Sequence, residues 1–237
     1  MRRLRHGTKN QNNMEAIDQI IQDSLKTLTA SGNRRIVYAP YKMDIALEVV
    51  TRIGKGMDPA FELTPDVKPI FIQLIRFFHG DTAFDGDINK GILLMGPTGT
   101  GKTMAMEIMK IYQTIDNIAY LLDGKMVRMN YNIIDVSILV SSFMDAGYDG
   151  IEMYRHRYAL CIDDIGAESN QIKHYGNDCD VVGYILAERY ARRLMTFGTT
   201  NFKVESLTTK YGDRIVSRMY SLFNFIVMKG KDFRKTK

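Results

Sequence analysis

The sequence predicts an α/β fold: a five-stranded parallel sheet covered by helices on both faces, a three-layer sandwich. Two observations carry this. Five apolar runs of strand length, Ile92–Met95, Met126–Asn130, Tyr158–Ile162, Met195–Thr200 and Phe223–Met228, are separated by stretches long enough for helices. The first run breaks into a glycine-rich turn that leads straight into a helix-compatible segment. Strands joined by helical crossovers lie parallel, and the crossovers are right-handed.

At 237 residues the chain can bury a full core, and one domain plus a small appendage is expected. Hydrophobic residues at 45% and charged residues at 25% are globular values, which excludes a disordered or fibrous chain. Thirty-two Lys and Arg against 27 Asp and Glu give +5, compatible with nucleic acid without demanding it. Two cysteines, Cys161 and Cys179, make no disulfide framework, and Cys161 lies in an apolar run as a small hydrophobe. That fits a reducing, cytoplasmic setting. Met1 to Arg5 begins like a signal peptide, but Thr8 to Asn13 are polar and no apolar segment follows. No run approaches bilayer length, so a soluble protein without a membrane partner is expected.

In chain order, residues 1–13 are basic and polar, either a frayed terminus or an electrostatic arm for nucleic acid. Met14, Ile17, Ile21, Leu25 and Leu28 form a helical stripe that Ser31-Gly32-Asn33 ends. A second helix is predicted over Met43–Ile53, and Gly54–Pro59 reads as a linker. We therefore divide the chain into a helical region at 1–58 and a main domain at 59–237. Two or three short helices make a poor independent core, so the first region should dock on the main domain or on a partner. Val67, Ile70, Phe71, Leu74, Ile75 and Phe78 share a helical face, started by Thr64-Pro65-Asp66. Gly80–Asn89 is a polar loop. Helices are predicted from Lys102 to Ile115 and over Ile134–Asp145, Asp180–Leu194 and Asp213–Ser221.

The chemistry begins at Gly96-Pro97-Thr98-Gly99-Thr100-Gly101-Lys102-Thr103. The order strand, G-x-x-x-x-G-K-T, helix is the phosphate-binding P-loop in its required context. Gly96, Gly99 and Gly101 let the backbone curl so that successive N–H groups point at one phosphate. The helix start adds its own N–H groups, Lys102 reaches the β- and γ-phosphates, and the Thr103 hydroxyl can ligate Mg²⁺. A P-loop reaction also needs a carboxylate for the metal and a group that orients water. Asp163 and Asp164 end the apolar strand Tyr158–Ile162, where ligands of parallel sheets bind. Asp163 is read as the metal-side carboxylate, acting through water, and Asp164 as the group polarising the attacking water. Asn201 or Thr200, at the tip of the Met195–Thr200 strand, could bond the γ-phosphate or that water. Arg214 and Arg218 stand four apart on one helical face. They are either a solvated basic face or an arginine finger offsetting charge on a neighbour's γ-phosphate.

This set, in this order, resembles the AAA+ ATPases, and more narrowly the bacterial helicase loaders (DnaC type) and related transposition helpers (IstB type). The resemblance covers about residues 60–237. It rests on Gly96–Thr103, Leu160-Cys-Ile-Asp-Asp-Ile-Gly166, Glu188-Arg-Tyr190, Thr199-Thr-Asn201 and Tyr211-Gly-Asp-Arg-Ile-Val-Ser-Arg218. It implies that Lys102 and Thr103 are Walker A, Asp163 and Asp164 Walker B, and Asn201 sensor 1. Arg218 would be the arginine finger, with Arg214 beside it. The cofactors implied are ATP and Mg²⁺. The family acts as an ATP-dependent oligomer whose sites are completed by the next subunit. It binds DNA, here single-stranded DNA first, and hands a replicative helicase or a transposase to it. Three departures stand out: Asp164 replaces the usual glutamate, few residues follow the last strand so no C-terminal lid domain is expected, and residues 1–58 match no named module. Arg234 could stand in for sensor 2. For DNA, the loop Gln171-Ile172-Lys173-His174-Tyr175 combines charge with an aromatic, although a plain solvated loop reads the same way. The expected function is a helicase-loading ATPase in DNA replication. The alternatives are a transposition helper and a nucleotide-gated adaptor with little turnover.

Overall fold

The computed structural model describes residues 35–115, 118–122, 125–169, 172–174, 177–230 and 232–233, with Gln19 alone before them. The basic stretch 1–13, the helix predicted over 14–28 and its stop at 31–33 otherwise lie outside the described residues. In chain order the elements are β1 (Arg35–Ile36), α1 (Met43–Met57), α2 (Lys68–Phe78), β2 (Gly91–Met95), α3 (Lys102–Ile115), β3 (Ala119–Leu122), β4 (Lys125–Arg128) and β5 (Asn132–Asp135). Then come α4 (Val136–His156), β6 (Ala159–Asp163), β7 (Ile172–His174), β8 (Asn177–Cys179), α5 (Val181–Ala191), β9 (Met195–Thr200), α6 (Val204–Leu222) and β10 (Phe223–Val227).

Five of these strands form one parallel sheet in the order β10-β2-β9-β6-β5. Side chains of a strand alternate between its faces, so a sheet covered on both sides feeds two cores. On β2, Ile92 and Leu94 enter one core with α1, α2 and α3, while Leu93 and Met95 enter the other with α4, α5 and α6. On β6, Ala159 and Cys161 divide from Leu160 and Ile162 in the same way. This is the predicted three-layer α/β sandwich. Its first layer is anchored by α2, which buries Phe71, Leu74, Ile75, Phe77 and Phe78. Each such side chain contributes about 1.5–3 kcal/mol of transfer free energy.

Several predicted elements are displaced. The second strand of the sheet is Asn132–Asp135, not Met126–Asn130. Residues 125–128 instead pair antiparallel with β3, which pairs with β1 in a small covering sheet. The apolar residues of 126–130 misled because a strand at the sheet's edge needs less buried surface than a central one: Ile133 and Ile134 are only half-buried. The linker read at Gly54–Pro59 is helical through Met57. Gly54 is there for packing, since a Cβ would fall 2.2 Å from the Phe61 ring. Helix α1 shares its core with α2 and α3, so the described residues before 59 pack into the same core as the first layer of the sandwich. Helix α4 runs to His156 across a break at Gly147, and α6 starts at Val204 and breaks at Gly212. The helix predicted from Asp213 is the second half of α6.

Candidate active site

The P-loop leaves β2 at Gly96, whose φ of 151° and close approach to the Met228 carbonyl admit no side chain; a Cβ there would lie 2.1 Å from that oxygen. Pro97 and Thr98 are exposed at its crest, and the buried Thr100 donates its hydroxyl to the Pro97 carbonyl at 2.9 Å. Gly99 takes φ 82° and would drive a Cβ to 1.8 Å from Asp232 Oδ1. After Gly101 the backbone enters α3 at Lys102, so free N–H groups of the first turn surround the loop. The Lys102 ammonium is 5% exposed and donates to the carbonyls of Gly96 and Pro97, each at 2.8 Å, and to Asn201 Oδ1 at 2.7 Å.

The acids stand opposite. β6 and β9 are neighbours in the sheet, which brings Asp163 and Asp164 beside Thr199 and Asn201. Thr103 Oγ1 lies 2.9 and 3.0 Å from the two carboxylate oxygens of Asp163, and Thr199 Oγ1 donates to Oδ1 at 2.6 Å. The Thr199 oxygen in turn accepts from the Asp164 backbone N–H at 2.9 Å. Asp164 sits in the left-handed region, φ 59°, which aspartate tolerates better than most residues. Its carboxylate accepts from Asn201 Nδ2 at 3.1 Å. Asn201 thus bridges the P-loop lysine and the second acid, while Thr200 is turned away and donates to the Ile165 carbonyl at 2.6 Å.

Sequence reasoning missed Asp135. Because β5 pairs with β6, Asp135 is the register partner of Asp163, and oxygens of Asp135, Asp163 and Asp164 lie within 4.8 Å of one another. Asp135 also caps α4, accepting from the Ser137 N–H at 2.7 Å. Its signal was a strand ending in an acid, hidden when the strand was placed at 126–130. Burial pushes the Asp163 carboxyl above its ordinary range, and the charges of Asp164 and Asp135 add to this against the donors Thr199 and Thr103. Crowded carboxylates beside a threonine hydroxyl are hard oxygen ligands, the set that suits Mg²⁺. Thr103 and Asp163 could hold the ion, with Asp135 and Asp164 at its margin.

A second feature carries no motif. The cleft over the Gly96–Thr103 loop, where the sequence predicts phosphate, is about 360 Å³ and is lined by Thr98, Lys102, Thr103, Asp164 and Asn201 among others. Beside it opens an apolar cavity of about 290 Å³ whose walls include Phe61, Val67, Phe71, Met104, Met228 and Phe233. Asp58, Gly101, Met104 and Phe233 line both spaces. These residues come from separate parts of the chain, so no local pattern announced the cavity.

The predicted arginines lie elsewhere. Arg214 is exposed and Arg218 half-buried on α6, with the Arg218 guanidinium 5.7 Å above the Tyr190 ring, and neither lines the phosphate cleft of its own chain. Arg234, Gln171 and Tyr175 lie outside the described residues, and Ile172–His174 form β7. Arg189, quoted above only as part of a motif, is fully buried. It donates to Thr196 Oγ1 at 3.0 Å and to the carbonyls of Tyr154, Arg157 and Met195 at 2.7–2.8 Å. It thereby ties α5 to the starts of β6 and β9, the strands that deliver the acids and Asn201.

No protein-family model matches the chain, and a search of curated proteins returns no match. Solved structures do match. The DnaC helicase loader superposes with a TM-score of 0.54 at 20% identity, covering 73% of this chain and 96% of that one. DnaI gives 0.51 at 22% identity, covering 84% and 95%. AMPPCP-bound DnaA from Aquifex aeolicus gives 0.50 at 14% identity, covering 75% and 51%. These likenesses show the fold: the three-layer α/β sandwich with a P-loop that DnaC, DnaI and DnaA share.

Proposed function

We propose that this AAA+ type P-loop fold binds and hydrolyses ATP, and that it loads a replicative helicase onto DNA. The observation that carries the ATPase reading is the relay from Lys102 through Asn201 to Asp164, set beside the Thr103–Asp163 pair at the mouth of a P-loop. Support for the loader comes from the likeness to DnaC and DnaI.

In this mechanism the backbone N–H groups of Gly96–Thr103 and the Lys102 ammonium bind the phosphates. Lys102 would exchange its bonds to Gly96 and Pro97 for phosphate oxygens. A Mg²⁺ held by Thr103 and Asp163 would offset charge on the β- and γ-phosphates. Asp164 accepts a hydrogen bond from the attacking water and takes its proton, and Asn201 keeps that carboxylate aimed. Arg218 of a neighbouring copy, with Arg214 beside it, reaches the γ-phosphate. We further propose that residues 1–58 dock the helicase, that single-stranded DNA is the nucleic acid bound, and that Arg234 acts as sensor 2. A second reading, a nucleotide-gated adaptor, is favoured by the short arm of Asp164, which stands farther from a lytic water than a glutamate would.

The test uses the full chain, the replicative helicase of the same host and closed circular single-stranded DNA. ATP-dependent retention of helicase on the circle, lost with Lys102→Ala, is expected. Loading without turnover would favour the adaptor. Binding of the host's transposase in place of the helicase would move the protein to transposition.

A further inference from the structure

The segment after β10 does not leave the site. Met228 donates its N–H to the Met95 carbonyl at 2.7 Å, and its own carbonyl fills the space that a Cβ on Gly96 would need. Farther on, the Phe233 N–H donates to the Gly99 carbonyl at 3.0 Å, and the Asp232 carboxylate packs on Gly99. The chain after the last strand is therefore bonded to β2 at Met95 and to the P-loop at Gly99, and it lies close against Gly96. These contacts place the Phe233 side chain, 40% exposed, where the apolar cavity meets the phosphate cleft. A nucleotide with its phosphates on Gly96–Thr103 must pass through this neck to put its base in the cavity.

The cavity suits a base. Phe61, Phe71, Val67, Met104 and Met228 supply apolar walls, while Asp58, Thr64 and Thr100 supply polar groups within the same lining. Every nucleobase has a π-face that stacks on an aromatic ring with little regard to its edge pattern. At 40% exposure, Phe233 keeps part of its surface accessible at this neck.

We propose that Phe233 is a base-contacting residue: its ring stacks on the base of the bound nucleoside triphosphate, so that the segment following the last strand reports whether a base occupies the cavity. This rests on the nucleotide-binding reading above and adds to it the residue that recognises the base. The P-loop alone holds phosphate. Phe233 makes the site prefer a nucleotide to inorganic polyphosphate.

The experiment compares ATP with tripolyphosphate, which has the phosphates and no base, by titration calorimetry. Wild type is expected to bind both and to lose both with Lys102→Ala, which checks the underlying reading. Phe233→Ala is expected to weaken ATP on the order of ten-fold and to leave tripolyphosphate unchanged. The sequence contains no tryptophan, so Phe233→Trp introduces a single reporter. Its fluorescence should change with ATP and stay constant with tripolyphosphate. Equal weakening of both ligands by Phe233→Ala, or no weakening of ATP, would overturn the stacking role while leaving nucleotide binding intact. Failure of wild type to bind either ligand would remove the nucleotide reading and this proposal together.

Discussion

Asp163 shows how a single residue is held at a cost by its neighbours. Its carboxyl is buried beside two other acids, and its folded pKa is raised above the unfolded value. A group shifted in that direction stabilises the fold below its unfolded pKa and loses that contribution as pH rises through its folded pKa. The metal-free protein should therefore gain stability from this residue as pH falls through its raised folded pKa toward the ordinary carboxylate range, with other groups held constant by comparison with Asp163→Asn. The variant should melt higher than wild type at neutral pH without metal, and should lose the extra stabilisation that Mg²⁺ adds to the ATP complex. Thermal melts with and without Mg²⁺ check both; a variant that melts lower without metal would mean the Thr103 and Thr199 bonds outweigh burial. Asp135 allows a cleaner separation. Asparagine caps helices as well as aspartate does, so Asp135→Asn should keep α4 intact, whereas Asp135→Ala should cost about 1 kcal/mol.

At the scale of elements, the site depends on β6 and β9 ending level with each other. That alignment is set at their opposite ends, where Arg189 bonds three carbonyls and Thr196. Glu188, the neighbouring residue on α5, faces outward to Arg155 and Arg192, and the Arg155 bond holds its carboxyl below the ordinary range. Arg189→Met keeps the length of the side chain but leaves buried carbonyls without donors. We expect a loss of about 3 kcal/mol, on the order of 10 °C in Tm, with a matching loss of ATP binding as the strand ends drift. Urea denaturation reads the first effect. Unchanged stability would show that the carbonyls find other donors. Arg189 was visible in the sequence as a motif member, but its burial was not, because a charged residue in a helix ordinarily faces water.

For the whole molecule, the arginines of α6 face away from the cleft of their own chain. An ATPase that uses Arg218 must borrow it, and a borrowed group makes the rate per subunit depend on protein concentration. Lys102→Ala and Arg218→Ala, each inactive alone, should restore activity when mixed, because some neighbours then combine an intact P-loop with an intact arginine. In a head-to-tail assembly of equal mixtures this is about a quarter of the sites. A mixture as inactive as its parts would place Arg218 outside the reaction.

What the sequence by itself determined is what local chemistry requires. The P-loop was legible because a phosphate cradle needs its glycines, lysine and threonine within eight consecutive positions. The position of the acids at 163 and 164 was legible because a central strand is apolar along its buried length and turns polar where it leaves the sheet. The sandwich followed from strand and helix periods, which each segment carries alone. Tertiary structure decided the rest. Asp135 joined the acids only when β5 took the sheet's edge, a place that demands too little burial to mark its sequence. The apolar cavity and Phe233 came together from separate stretches held by one core, and residues distant in the chain have no spacing to betray that they meet.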